Sequence, residues 1–523
     1  MTLRKNKVLA FLFIFSCSVT PAQSKDGKSQ IKKYLNEAQV HFYNDDYYRA
    51  WVEYIKVLKI NKQQEVAGVN GAICAIKLNY PVDSLNLLVS SLSASNLTDA
   101  LYYLARVRHQ QRKFAEALEL LNDYNRTQLK ERTVENEEVE YWITVCKNAE
   151  DLIAEPHHAV IKNMGAEINS SSPDYVPVIL PDESSLYFTS RREGSSDNKK
   201  DNTGGFYEDV YVSYKQDGHW KKAVNAGPPV NSETNDACVA ISPDGQRMIV
   251  YRTSITELGG NLFITKMGAN NKWGSLEKIG HEVNSQYIET SACFSNDTSE
   301  IYFSSNRPGG YGGKDIYRIK KAPNGSWAMP YNLGPNVNTP YDEHAPFLHP
   351  DGLTLYFSSE GHNTMGLFDV FKSVQTLEEG QFSMAENLGY PINDVGNDIF
   401  FVLSVDGQTG YYSSTKKETF GGLDIYEIDT RFGDNDLEIK YGTAWVDDAP
   451  GRVKITLTDT ESNQVSGNYY SNPGTGKFIL VMNPLKSYKA LVETEGYDPL
   501  EVQIVPLASE KTSKELEFKF AKK

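Results

Sequence analysis

Cysteine is scarce in this sequence, and so are long apolar runs and surplus positive charge. The 523 residues include 5 cysteines, and four of them (Cys74, Cys146, Cys238 and Cys293) are widely spaced in apolar segments. This pattern predicts buried free thiols, because neither a disulfide framework nor a metal site has such spacing. The formal net charge of −15 argues against binding to nucleic acid, since no basic surface would offset phosphate repulsion.

A short apolar run at the N-terminus is typical of a secretory signal. Basic residues precede an apolar stretch at 8–15 that is too short to span a bilayer. Small residues favour cleavage between Ala22 and Gln23, so residues 1–22 are predicted to be a signal peptide. An N-terminal anchor and lipidation at Cys17 are the alternatives. The mean hydropathy of −0.48 favours a soluble globular protein over a membrane protein.

Residues 23–155 are predicted to be helical and to repeat about every 34 residues. Small residues recur at this spacing in two series: Ala38, Ala72, Ala105, and Ala50, Ser84, Ala117. They mark the places where the two helices of a hairpin approach closely. The pattern predicts three hairpins and a capping helix at 136–153, since the last hairpin of a solenoid needs its apolar face covered. A plain helical bundle is the alternative.

From position 156 the period changes to about 54 residues, and five copies align. Each copy opens with an asparagine, and the five are Asn169, Asn231, Asn284, Asn338 and Asn393. A turn, an aromatic strand, a third strand and an outer aromatic residue follow in order. Such copies predict the four-stranded blades of a β-propeller, because one small sheet cannot bury both of its faces alone.

The last copy lacks an outer strand, whereas a spare one precedes the first copy. Segment 157–169 matches the outer strands of the other copies, with His158 in the place of their tryptophan. The sequence therefore predicts a five-bladed propeller at 156–433 whose ring is closed by a strand from 157–169, which leaves no adhesive edge. The remaining residues, 434–523, alternate apolar and polar positions between Gly- and Pro-containing turns and predict a β-sandwich.

Two sets of residues are candidates for binding a partner. The first lies in a polar insertion of the first copy, 191–208, which is predicted to be a mobile surface loop that either contacts a partner or is a plain excursion. Its candidates are Arg191, Arg192, Asp197, Lys199, Lys200 and Asp201. The second set lies five positions after each opening asparagine: Asp174, Asp236, Glu289, Glu343 and Asp398. These acids would form a ring that binds a cation or basic peptide or, as we favour, accepts structural hydrogen bonds.

Together the three blocks resemble a known arrangement. The helical pairs look like tetratricopeptide repeats, the LYFSS…DVF units at 355–371 look like PD40 or TolB-like propeller repeats, and 447–497 looks like a carboxypeptidase regulatory-like fold. In this order they are similar to the periplasmic PorE-like proteins of Bacteroidetes. The resemblance implies an outer-membrane-associated protein of the type IX secretion and gliding machinery. That family's OmpA-like domain has no counterpart before Lys523, so anchoring to peptidoglycan is not implied.

Motifs for catalysis are not apparent. The sequence has no G-x-S-x-G, and His281-Glu282 lacks the second histidine of a zinc-protease motif. We therefore expect a non-enzymatic scaffold, without catalytic residues, metal or cofactor, that binds outer-membrane or periplasmic proteins. One alternative is a propeller protein that binds glycan or cell-wall fragments, and another is a hydrolase whose site is unrecognised.

Overall fold

A computed structural model defines the fold of most of the chain. It describes residues 25–78, 85–127, 131–180, 183–201, 204–243, 245–254, 259–268, 272–295, 298–322, 324–376, 380–405, 407–416, 418–429, 438–471, 475–482, 486–504 and 515–521. The predicted signal peptide and the boundary predicted at 433/434 lie outside these residues.

Helices make up the N-terminal part of the described chain. They are α1 Lys25–Tyr43, α2 Tyr47–Ile60, α3 Glu65–Lys77, α4 Asn86–Ser93, α5 Asp99–Gln110, α6 Phe114–Arg126 and α7 Asn136–Ala154. Each helix contacts the next along the chain. The alanines of the two repeated series are fully buried where the helices meet, whereas Ser84 lies outside the described residues. None of these helices is both long enough and apolar enough to cross a membrane.

Five antiparallel sheets follow in the described residues, and each corresponds to one copy of the repeat. Strand β1 (Val160–Asn163) comes first in the chain. The first sheet contains β2 Asp174–Ile179, β3 Ser185–Ser190, β4 Asp209–Gln216, β5 His219–Trp220 and β6 Val224–Asn225; the second β7 Asp236–Ile241, β8 Arg247–Thr253, β9 Gly260–Lys266 and β10 Glu277–Lys278; the third β11 Ala292–Phe294, β12 Glu300–Ser305, β13 Asp315–Lys320 and β14 Tyr331–Asn332; the fourth β15 Glu343–Leu348, β16 Thr354–Ser359, β17 Asp369–Val374 and β18 Glu386–Asn387; and the fifth β19 Asp398–Leu403, β20 Thr409–Ser414 and β21 Asp424–Asp429.

These sheets surround a common axis. Each first strand contacts the first strand of the next sheet, and β19 returns to β2. The other strands of each sheet follow outward in chain order, which is the arrangement of a β-propeller. β1 pairs antiparallel with β21, with Lys162 opposite Glu427. A segment that precedes the first sheet thus completes the fifth one, which is the pairing that the sequence predicts.

The opening asparagine of each copy links two neighbouring sheets. Its side-chain amide exchanges two hydrogen bonds with the backbone N–H and C=O of one residue in the third strand of the preceding sheet. The pairs are Asn169 with Ile425, Asn231 with Val210, Asn284 with Leu262, Asn338 with Ile316 and Asn393 with Val370, at distances of 2.7–3.0 Å. We call this contact the asparagine clasp. It gives the buried N–H of that residue its partner and adds a second donor to the carbonyl, which also accepts a backbone N–H that follows the outer strand.

Aromatic residues on the outer strands pack between the sheets. Trp273 of the second copy meets Tyr187 of the first, with ring centroids 6.0 Å apart and the indole N–H donating to the Tyr187 hydroxyl at 3.2 Å. Trp220 and Phe382 make equivalent edge-on contacts with the tyrosines of their preceding sheets. This series therefore serves the packing of the ring.

The C-terminal strands form two sheets around a separate core. They are β22 Glu438–Val446, β23 Ala449–Pro450, β24 Lys454–Asp459, β25 Val465–Tyr470, β26 Lys477–Met482, β27 Tyr488–Glu493, β28 Leu500–Ile504 and β29 Leu516–Phe520. One sheet has the order β23-β22-β26 with β29 beside β22, and the other has the order β25-β24-β27-β28. Leu457, Phe478 and Ala490 are among the residues buried between them. The predicted β-sandwich is therefore present in the described residues.

The helices and the sandwich contact opposite faces of the propeller. We call the end at which the first strands begin the upper face, and the other end the lower face. The sandwich lies against the lower face, where the Asn468 N–H donates to the Asp351 carbonyl at 3.1 Å and Val405 joins the sandwich core. The helices lie on the upper face, through contacts given below.

A cysteine pair can test how β1 closes the ring. In Lys162→Cys/Glu427→Cys the two side chains are directly opposite, within reach of a disulfide. We expect the bond to form on oxidation and to raise the midpoint of thermal unfolding by at least about 4 °C, because it closes a very long loop. Lys162→Cys/Ile428→Cys is the control, since a slip of one residue sends the second side chain to the other face. A bond in the control alone would contradict the register.

Candidate functional site

The five acidic residues of the repeat lie at the upper face, at or just before the start of each first strand. All five are buried, with exposures of 0–3%. Asp236 is typical, since it accepts hydrogen bonds from the N–H and hydroxyl of Ser232 at 2.6 and 2.7 Å. The N–H of the residue after the opening asparagine makes the same bond in the other copies. An exposed acidic ring for a cation or basic peptide is therefore wrong, because these carboxylates serve the turn into each first strand.

A basic side chain faces four of these carboxylates. Arg192, Arg252, Arg307 and Lys416 each pair with the acid of their own copy. Each also donates to the carbonyl of the residue before the opening asparagine. Arg192 is thus part of the repeat, and its assignment to partner binding is wrong because its side chain is 15% exposed and engaged in the sheet. Alignment could have shown this, since three of the four cations follow the last serine of the second strand by two positions.

The fourth copy differs, because no basic side chain in the described residues pairs with Glu343. Its carboxyl group accepts hydrogen bonds from the N–H and hydroxyl of Thr339 and from the Ser359 hydroxyl. His362 replaces the cation at the shared carbonyl, donating from Nε2 to the Val337 oxygen at 2.9 Å. Burial lowers the pKa of His362 and raises the pKa of Glu343 to about 8. Both groups are therefore neutral at pH 7.

The inserted loop of the first copy folds back on itself at the upper face. It contains a 3₁₀ turn at Ser195–Asn198 and a bridge between Lys200 and Phe206. Arg191 forms an ion pair with Asp201 and donates to the Phe206 carbonyl. The structure thus brings two of the predicted residues together, and they bind each other.

The other candidates in this loop do not converge on one place. Lys199 is exposed and pairs with Glu233 of the next connection at 3.2 Å. The ammonium group of Lys200 lies 4.3 Å from the centre of the Phe206 ring. The side chain of Asp197, like residues 202 and 203, lies outside the described part of the structure.

A channel with a volume of about 290 Å³ follows the axis of the ring. The first strands of all five sheets line it, and apolar side chains such as Val178, Ala292 and Val402 form most of its wall. Polar groups gather near its upper end, where Tyr175, Thr290 and His344 begin or precede first strands and Glu208 precedes a third strand. The channel therefore combines an apolar body with one polar end.

The polar end of the channel is a set of aromatic and hydrogen-bonding groups. The Phe400 ring stacks on Tyr175 at 6.2 Å and meets the His344 ring edge-on at 5.5 Å. The Nε2 atom of His344 is 2.8 Å from the Thr290 hydroxyl. Burial and a hydrogen bond to Glu208 keep the pKa of Tyr175 well above its ordinary value. Burial lowers the pKa of His344 to about 3, so its ring is neutral.

Backbone strain marks the same end of the channel. Val176, Ala345 and Phe400 have φ values of 54°, 52° and 61°, at places where the pairing register of the first strands shifts. Such values are unfavourable for residues with a Cβ, and most of all for a β-branched one. Hydroxyl groups of other strands hold the bulges, since Ser413 accepts the Val176 N–H at 3.1 Å and Ser291 accepts the Ala345 N–H at 3.0 Å.

Polar contacts fix the helices to the fourth and fifth sheets. Arg112, in the turn after α5, donates to both carboxylate oxygens of Asp394 and to the Tyr390 hydroxyl. The buried ring of His109 donates from Nε2 to the Met365 carbonyl at 2.9 Å. These bonds reach the loop between β16 and β17 and the connection between β18 and β19, both at the upper face.

Helix α7 extends the same contact. The Tyr141 hydroxyl donates to the Glu360 carbonyl at 2.8 Å, and its ring lies 4.7 Å from that of Tyr341. Met365 is fully buried against Phe114 and Ala149 in a core shared by the helices and the propeller. This interface was not predicted from the sequence, because no repeat marks it.

Comparisons with known proteins give no family. No protein-family model and no curated protein matches this chain. Solved structures with similar parts include α-L-arabinofuranosidase from Lactobacillus brevis, with 11% identity, coverage of 57% of this chain and 94% of that chain, and a TM-score of 0.34. Others are endo-arabinase from Bacteroides thetaiotaomicron, with 14% identity, 51% and 98% coverage and a TM-score of 0.33, and prolyl oligopeptidase B from Galerina marginata, with 9% identity, 62% and 38% coverage and a TM-score of 0.27. TM-scores this low decide neither the fold nor the function of this chain.

The unpaired Glu343 predicts a specific pH dependence of stability. Its pKa in the folded chain is about 8 against an ordinary value of 4.5, so the folded chain keeps a proton that the unfolded chain releases between these values. Stability is therefore lost as the pH rises through this window. We expect Glu343→Gln to change the free energy of unfolding little at about pH 5 and to increase it by roughly 1–3 kcal/mol at about pH 9. Urea unfolding at both pH values measures this.

Glu289→Gln is the matched comparison, because Glu289 is the same residue type in a copy that has its cation. Removing its charge leaves Arg307 buried without a carboxylate partner, which we expect to destabilise the protein by about 3 kcal/mol. Equal effects of the two substitutions at about pH 9 would contradict the difference between the copies.

A double-mutant cycle can measure how firmly the helices are held. We expect Arg112→Ala and Asp394→Ala to show a coupling energy of about 1 kcal/mol in urea unfolding, a moderate value because the Arg112 side chain is 45% exposed. The pair Arg126 and Asp123 is the control, since it is an exposed contact within α6 and its coupling should be close to zero. A coupling for Arg112 no larger than the control would mean that this ion pair does not hold the interface.

Proposed function

We propose that this protein is a non-enzymatic scaffold of the cell envelope that binds other proteins at the outer membrane. The observation that carries this proposal is the attachment of two further domains to opposite faces of one propeller. The helices are joined to the upper face by a buried core and ion pair, and the sandwich is joined to the lower face. Such an assembly holds several binding surfaces in a fixed relation.

The finer architecture belongs to the same proposal. We take the helices as a degenerate tetratricopeptide-like solenoid, the ring as five PD40-like blades and the C-terminal sheets as a carboxypeptidase regulatory-like sandwich. The consecutive hairpins with buried alanines and the return of β19 to β2 support this interpretation. The domain order supports a place in or beside the type IX secretion and gliding machinery of the periplasm.

The tip of the first helical hairpin is the surface we propose for a protein partner. Val40 and Tyr43, one turn apart on α1, are 60% and 58% exposed, and Tyr48 at the start of α2 is 54% exposed. Exposed apolar side chains that cluster in this way are typical of contact sites between proteins. These exposed fractions are found with the propeller present, so the three side chains are available while the helices stay attached.

The channel favours binding over hydrolysis. Glycoside hydrolysis commonly needs two carboxyl groups on either side of the scissile bond. Among the described residues that line the channel, Glu208 is the one with a carboxylate. This composition supports a non-enzymatic role for the propeller.

Cross-linking in whole cells can test the scaffold function. We expect the tagged protein to cross-link to outer-membrane or secretion components, and Val40→Ser/Tyr43→Ser/Tyr48→Ser to lose at least about nine-tenths of one such product because its apolar contact is removed. Met329→Ser/Met384→Ser is the control, since these exposed methionines lie on the outer edge of the ring. Equal loss in both variants, or retention of the protein on glycan or peptidoglycan without any protein partner, would overturn the proposal and favour a glycan-binding protein.

A further inference from the structure

The upper end of the axial channel has the chemistry of a ligand site, and it goes beyond the proposed scaffold function. We propose that this end binds a primary ammonium group carried on an apolar chain, with the ammonium beside Glu208 and the chain along the channel. A free alkylamine and the side chain of a lysine in a partner protein share this chemistry. The proposal depends on the charge and the aromatic rings found there, and on the apolar wall below them.

Glu208 gives the site its charge. Its carboxylate accepts a hydrogen bond from the Tyr175 hydroxyl, and no basic group forms an ion pair with it in the described residues. The charge of Arg191 acts on both Glu208 and Tyr175, but its guanidinium group forms its direct ion pair with Asp201. A half-buried carboxylate without a direct ion-pair partner can bind a cation from outside.

Aromatic rings beside Glu208 favour the same kind of ligand. Tyr175 and Phe400 stack on each other, and Tyr251 also lines the channel. The faces of such rings attract ammonium groups, most strongly where water is excluded. No lysine or arginine is among the described residues that line the channel, so nothing in this wall repels a cation.

His344 adds no positive charge to this end of the channel. The residue is 9% exposed, and burial keeps its ring neutral by lowering its pKa to about 3. Its Nε2 atom contacts the Thr290 hydroxyl at 2.8 Å, whereas its Nδ1 atom is shielded from solvent and has no hydrogen-bond partner in the described part of the chain. The ammonium group is therefore held by Glu208 and the aromatic rings alone.

The apolar wall of the channel favours a ligand whose ammonium group is attached to a hydrocarbon chain. Below the polar end the channel is lined by side chains such as Val178, Ile241 and Val402. A chain of methylene groups gains free energy by leaving water for such a wall. The volume of about 290 Å³ admits a slender chain rather than a folded domain.

Three probes of equal length test this site on the full chain: n-pentylamine, 1-pentanol and pentanoate. We expect calorimetry at neutral pH to show that pentylamine binds about tenfold or more tightly than pentanol, because the ammonium forms charge-assisted hydrogen bonds. Pentanoate should not bind, since its charge is repelled by Glu208. Equal binding of the amine and the alcohol, or binding of neither, would overturn the proposal.

Glu208→Gln locates the site, and Glu233→Gln is its control. Both remove one negative charge at the upper face, but Glu233 is exposed and does not line the channel. We expect Glu208→Gln to weaken pentylamine about tenfold without changing pentanol binding, and Glu233→Gln to leave both unchanged. Thermal unfolding without ligand shows that each variant is folded. Unchanged amine binding in Glu208→Gln would place the amine elsewhere and contradict the proposal.

A peptide identifies the source of the ammonium group. If the ligand is a protein side chain, acetyl-Gly-Lys-Gly-amide should bind and its Nε-acetylated form should not, because acetylation removes the charge. If pentylamine binds and the peptide does not, the site takes a free amine. This test does not involve the first hairpin, so its failure leaves the cross-linking result of the scaffold function unaffected.

Discussion

The asparagine clasp is the contact on which the rest of this structure depends. Each opening asparagine accepts the N–H and donates to the C=O of one residue of the preceding sheet, so every sheet is bonded to the next through a pair of buried hydrogen bonds. The clasp of Asn169 on Ile425 joins the first copy to the last. The pairing of β1 with β21 closes the same junction, because β1 lies just before Asn169 in the chain. The ring is thereby closed both by a strand and by a side chain.

The clasp also fixes the groups of the upper face. The residue that follows the asparagine donates its N–H to the acidic residue, and the carbonyl of the residue that precedes it accepts from the cation, as with Ser285, Glu289 and Arg307. Acid and cation therefore neutralise each other in a buried place, where either alone would be strongly unfavourable. This arrangement explains why the acids recur in every copy although they are not an exposed site. Glu208 is not part of the repeat, and it is an acidic group at the channel that forms no ion pair within the described residues.

Sequence analysis could predict the features that repeat. Five copies place the same residue types at the same spacing, so the strand order, the clasp position and the closing strand were all visible in the alignment. Features that occur once were not visible. Arg112 and Asp394 are 282 positions apart, and no periodicity connects them. The channel was missed for a different reason, since the bulges at Val176 and Phe400 change which side chains face the axis. Arg192 was misassigned because it stands at the join of a repeated strand and an insertion.

The loop that lacks the cation in the fourth copy also binds the helices. The residues that come after β16 supply the carbonyl groups of Glu360 and Met365 to Tyr141 and His109. The loop passes close to Thr339, and a Cβ atom at position 361 would collide with the Thr339 side chain. In three other copies the cation occupies the equivalent position, two residues after the last serine of the second strand. Glycine therefore occupies the position of the cation, His362 takes over its carbonyl partner, and Glu343 is left to keep its proton. The copy with the protonated acid thus lies against the helices, whereas the fifth copy, which also contacts them through Asp394, keeps the cation Lys416.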